Sequence, residues 1–199
     1  VYKRQNGNNA SVTRNSTTSF TATYTMSNSD NSIDGSEIPI LISNHSDATG
    51  NVGTDVGATT DGSFVVYDNT LPTLPTVTIS SNNTYDHLAA LGDELTLTIA
   101  SDENIIIPTV SMLGSTADVT VTQGATASNW SASKTVTAGH TDGTAAFNII
   151  YTDLAGNSGL ARNELSVGDD PVRIDKTDPT ISMASIASNN ENGSELAVP

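Results

Sequence analysis

Carboxylates and amides standing at turns are the residues of this chain best placed to do chemistry. Asp68 precedes Asn69 in a proline-bearing stretch, Asp102 and Glu103 close a β-like run, and Asp153 and Asn157 bracket Leu-Ala-Gly. Asp175 stands 107 residues after Asp68 in a stretch of the same pattern. Oxygens in such numbers suit a hard cation, because Ca²⁺ takes about six to eight of them from carboxylates, carbonyls and water. Turn formation is the competing use, since Asp and Asn bond readily to their own backbone. It accounts for Asp34 and Asp142, each directly before a glycine, better than metal does.

Other chemistries find little support. Cysteine is absent, which removes disulfides, thiolate nucleophiles and thiolate metal sites. There is no G-x-S-x-G elbow, and His45, His87 and His140 are scattered, so the expectation is a protein that is not an enzyme. Trp130 would suit a sugar-stacking platform, but it opens an alternating strand and its repeat counterpart is Phe20, so a core role is expected. Seven basic against 22 acidic residues give a net charge of −15, which argues against nucleic acid or an anionic membrane as partner. No apolar run approaches the roughly 20 residues of a membrane span.

The elements that must position these acids follow from an internal repeat. Asp68 to Thr73, with Asn82-Asn83 after it, returns as Asp175 to Thr180 with Asn189-Asn190, at a constant spacing of 107. Asp47-Ala-Thr-Gly-Asn51 returns as Asp153-Leu-Ala-Gly-Asn157 at 106, where His45 faces Tyr151, and Asp34-Gly-Ser answers Asp142-Gly-Thr at 108. A unit of this length can hold its own core. The expected organisation is the C-terminal part of one repeat over 6–68, a complete repeat over 69–175 and the start of another over 176–199. Val1 to Gln5 resemble the translation of a transposon-end adaptor and are set aside from the fold.

Within the complete repeat, short Thr/Val/Ile-rich segments alternate in and out between Gly, Asn, Asp and Ser. Strands are expected over 76–80, 94–100, 106–112, 119–122, 130–137, 145–151 and within 164–174, with no helical periodicity. Seven antiparallel strands in about 100 residues fit an all-β, immunoglobulin-like sandwich. Strand direction in such a sandwich sends the loop after the second strand, the loop after the sixth and the incoming linker to one pole. Asp102 with Glu103, Asp153 with Asn157, and Asp68 would therefore meet there, forming an inter-domain calcium site. Asp175 would serve the next junction.

The motifs Asp68 to Thr73, Ile79 to Asn83, Gly92 to Glu103 and Thr152 to Asn157 together resemble the tandem immunoglobulin-like repeats of very large bacterial surface and adhesin proteins. Two departures are the extra acid Asp102 before Glu103, and Asp178, where such stretches more often hold a small residue. The resemblance implies a non-enzymatic spacer in a secreted or surface-anchored protein, partnered by neighbouring repeats, and the converging acids add the expectation that calcium stiffens it. The alternative it allows is that the repeats themselves bind glycans or self-associate in a biofilm.

Overall fold

The computed structural model describes residues 2–5, 8–27, 30 and 34–187, with only the main chain given for 2–5 and 8–9. Before the linker come β1 (Tyr2–Gln5), β2 (Asn8–Asn9), β3 (Ser11–Arg14), β4 (Phe20–Thr23), β5 (Ser36–Glu37), β6 (Leu41–Ser43) and β7 (Val66–Tyr67). After it come β8 (Thr76–Ser81), β9 (Leu88–Ala89), β10 (Glu94–Ala100), β11 (Thr109–Met112) and β12 (Thr120–Gln123). The last four are β13 (Asn129–Thr135), β14 (Gly143–Thr144), β15 (Phe147–Ile150) and β16 (Arg173–Ile174). No α-helix occurs among the described residues, and the chain is all-β.

Alternation decides the centre of the second unit. Leu95, Leu97 and Ile99 of β10 are fully buried, whereas Glu94 and Thr98 turn outward. β10 pairs with β8 on one edge (Leu97 opposite Ile79) and with β13 on the other (Leu97 opposite Ala132). The resulting sheet runs β12-β13-β10-β8, while β11-β15 and β14-β16-β9 form two smaller sheets. Val110, Met112, Ile149 and Ile174 from these join the same core. Burying an aliphatic side chain of this size stabilises by about 1.5–3 kcal/mol. Trp130 is also in the core, its Nε1 donating to the Ala127 carbonyl at 2.8 Å. The core role expected for it is the one observed.

Three details depart from the sequence reading. β11 begins at Thr109, directly after Pro108, which has no N–H to give to a ladder. The strand expected over 145–151 is shorter, covering Phe147–Ile150 as β15 on β11, and a separate strand before it, β14, pairs with β16. β9 was not expected at all; two residues are too few to show alternation, and it pairs in parallel with β16. The repeated Asn pair has a structural task. Asn82 Oδ1 accepts the Glu94 N–H at 2.8 Å and Asn83 Nδ2 donates to Asp93 at 2.7 Å, tying the end of β8 to the start of β10. Asn189 and Asn190 lie outside the described residues.

The repeat seen in the sequence is also a repeat of hydrogen bonds. Ser36 pairs with Tyr67 and Glu37 with Val66, just as Gly143 pairs with Ile174 and Thr144 with Arg173. Ile42 bridges Val56 as Ile149 bridges Arg162, and Ser46 bridges Val52 as Thr152 bridges Ser158. The drop in spacing from 107 to 106 between these bridges has a local cause. One extra residue, Asn44, sits in the first copy with φ +54°, a left-handed conformation that Asn tolerates better than most. Tyr2–Gln5, set aside above, pair along β6. Tyr2 faces Ser43 in β6 at the register with which Thr109 faces Ile150. This pairing concerns the backbone alone, and an open strand edge accepts any extended segment.

Candidate functional site

Asp153 opens the loop that returns from β15. Its N–H donates to the Asn157 carbonyl at 3.0 Å. Its Oδ1 accepts the N–H groups of Ala155, Gly156 and Asn157 at 2.7–2.8 Å, and its Oδ2 accepts Asn157 Nδ2 at 2.8 Å. Gly156, at φ +103°, lets the chain turn that tightly. The carboxylate is thus buried and bonded at both oxygens, Oδ2 by a single donor. Asp47, Gly50 and Asn51 build the same kind of loop in the first unit, where Asp47 Oδ1 accepts Thr49 and Asn51 N–H at 2.9 Å. Its hydrogen bonds, from the Asn51 and Thr49 side chains above all, hold Asp47 well below the usual carboxylate range.

Two further segments reach Asp153. An antiparallel bridge between Ile105 and Asp153 brings the loop after β10 alongside, and with it Glu103. Asn157 Nδ2 donates to the Asp68 carbonyl at 3.2 Å, which docks the linker. Carboxylate oxygens of Asp68, Glu103 and Asp153 consequently lie within 4.8 Å of one another. Two like charges about 4 Å apart repel by about 1 kcal/mol in water and about 4 kcal/mol at an effective dielectric of 20. Glu103 feels this. Burial first, then the charges of Asp68, Asp153, Asp102 and Asp34, push its carboxyl above the ordinary range.

The other residues expected at the site stand differently. Asn157 is present as the donor that joins Asp153 to Asp68, with its amide nitrogen turned toward them. Asp102 is not part of the group of three. It accepts the Thr73 N–H at 2.8 Å and the Thr73 hydroxyl at 2.7 Å, and these bonds lower its pKa. Asp175 belongs to the far end of the unit. Its N–H bonds to the Ala89 carbonyl at 2.9 Å and its Oδ1 accepts the Thr177 N–H at 3.0 Å.

Asp34 was read as a turn former, and its longer reach was missed. Its two oxygens accept the Asn69 N–H and the Thr70 hydroxyl, both at 2.6 Å. Asp142 repeats the arrangement one unit on, accepting the Lys176 N–H at 3.3 Å and the Thr177 hydroxyl at 2.9 Å. The Lys176 ammonium bonds to the carbonyls of Ala138 and His140 beside Asp142. The signal in the sequence was the joint recurrence of Asp34 with Asn69-Thr70 and of Asp142 with Lys176-Thr177.

No protein-family model, curated protein or solved structure matches the chain. What the site can do therefore follows from its chemistry. Three carboxylates, with backbone carbonyls beside them, offer hard oxygen ligands. No cysteine is available as a nucleophile, and no histidine stands within the group of three acids.

Proposed function

We propose that the chain is a non-enzymatic spacer built of tandem immunoglobulin-like sandwiches, with a calcium site where adjoining repeats meet. The observation that carries this reading is the meeting of Asp68, Glu103 and Asp153, from three separate segments, within 4.8 Å at the linker. One acid comes from the linker and two from the following unit, so a cation shared among them would join linker to domain. It would also offset the repulsion that raises the Glu103 pKa. In this reading the repeats hold a binding tip away from a bacterial cell surface, and calcium adds stability at each junction. Affinity would be that of extracellular modules, on the order of 10⁻⁴ to 10⁻³ M.

Calorimetric titration of Ca²⁺ into the full chain, beside an Asp68→Ala/Asp153→Ala variant, tests the proposal. Heat in the parent protein and none in the variant is the expected result. No heat in the parent, together with a melting temperature that chelator leaves unchanged, would remove calcium and leave a plain spacer with acidic turns. The glycan-binding reading would need an accessible Trp130 beside Tyr85 or Tyr151; Tyr85 is exposed, but Trp130 and Tyr151 are both buried.

A further inference from the structure

We infer that Asp34 and Asp102 form a two-sided latch on the linker, which fixes the direction of the second unit relative to the first without a bound cation. The linker is short and is gripped from both sides. From the first unit, Asp34 holds the Asn69 N–H and the Thr70 hydroxyl. From the second, Asp102 holds the Thr73 N–H and hydroxyl. The Thr73 carbonyl in turn accepts the Asp102 N–H and the Ser101 hydroxyl, both at 3.2 Å.

Between these grips the chain has little freedom. Pro72 is buried and its φ is fixed by its ring. Its carbonyl lies so close to Gly159 that a Cβ there would stand 2.7 Å from it. Leu74 then enters the core. Carboxylates that accept both a backbone N–H and a hydroxyl make charge-assisted bonds, roughly twice as strong as neutral ones. Each threonine contributes two donors or a donor beside its neighbour's, so the linker is held in position as well as in place. Asp142 grips Lys176 and Thr177 in the same way at the next junction, which makes the first half of the latch a property of the repeat.

The latch is independent of calcium, and one experiment separates the two. The chain has no cysteine, so Thr60→Cys and Gln123→Cys, at exposed positions either side of the linker, give one spin-label pair. In excess chelator the distance distribution from pulsed electron spin resonance should be narrow. Asp34→Ala with Asp102→Ala should broaden it by about twofold or more, toward the behaviour of a flexible linker. Thr70→Val, which keeps the shape and removes the hydroxyl, should broaden it less, and Thr70→Ser should leave it narrow. Fluorescence of the single Trp130 verifies in each variant that the second unit is folded. A distribution already broad in chelator that sharpens only with Ca²⁺ would overturn the latch and leave the calcium reading standing. A narrow distribution in all variants would overturn it too.

Discussion

Val65 and Val172 are the same residue one repeat apart, and the carbonyl of each accepts the corresponding backbone bond, from Ile38 and from Ala145, at 2.8 and 2.9 Å. Val172 is fully buried, whereas Val65 is 64% exposed. Phe20 is likewise 48% exposed where Trp130 is 7%. Every buried apolar side chain among the described residues lies at or after Pro72. A groove of about 920 Å³ lies open in the first unit, with Met26, Ile38, Ile40, Phe64 and Val65 on its walls. His45, the counterpart of Tyr151, keeps a buried Nδ1 with no hydrogen-bond partner. The comparison separates two levels of folding. Hairpins, loops and the aspartate-centred turn are dictated by local sequence and survive in both units. Burial depends on β8 and β10, which the described part of the first unit does not have.

Truncating a core residue should separate the two units most strongly. Ile149→Ala removes a fully buried side chain and is expected to destabilise the second unit by about 2–5 kcal/mol. Ile42→Ala, at the equivalent bridge, should leave that transition unmoved. Denaturant unfolding followed by Trp130 emission reads both. Comparable losses in the two variants would mean that the units unfold as one.

A smaller difference is expected at a pair of glycines. The atoms nearest a Cβ on Gly53 all belong to the His45 ring, but on Gly159 they include the Tyr151 ring and also the Pro72 carbonyl. Gly159→Ala should cost about 1–3 kcal/mol, the usual range for overpacking, and should loosen the linker. Gly53→Ala should cost less, because the imidazole is only half-buried and can turn aside. Thermal melts of the two variants make the comparison.

The smallest effect is a pH dependence belonging to the second unit. Glu103 has a raised pKa, so between the ordinary glutamate value and its own the folded protein binds more protons than the unfolded chain. Stability without added cation must therefore fall as pH rises through that window. Glu103→Gln should flatten the slope when stability is measured in chelator at several pH values. A slope that persists in the variant would assign it elsewhere. Asp34, Asp93 and Asp102 have lowered values and act on the opposite limb, where stability is lost as pH falls below the ordinary aspartate range.

The strands with strict alternation were legible. β10 occupies the residues expected, and Leu95, Leu97 and Ile99 face inward as read. The convergence of Asp68, Glu103 and Asp153 was legible too, because strand direction alone sends their segments to one end. The finer placement of Asp102 was not. Nothing adjacent to Asp102 says whether it turns to its acidic neighbours or to Thr73, 29 residues earlier. Asp34 escaped for the same reason, since its partners lie 35 and 36 residues away. Such side-chain bonds depend on how the loops are presented, which periodicity does not encode. β9 escaped because its partner is β16, far along the chain, and two residues carry no pattern.

That pairing bears on the order in which the chain folds. Leu88 faces Arg173, 85 residues later, and Asp175 then donates to the Ala89 carbonyl. Contacts of such long sequence separation are slow to form and close late. A repeat emerging from a ribosome or an export channel cannot complete this sheet until residue 174 is out, and the residue that follows completes the closure. The stretch Asp175 to Thr180, which repeats Asp68 to Thr73, begins at that same point. The sheet thus closes only as the second copy of the linker stretch appears, so the half-folded unit keeps an open strand edge until then.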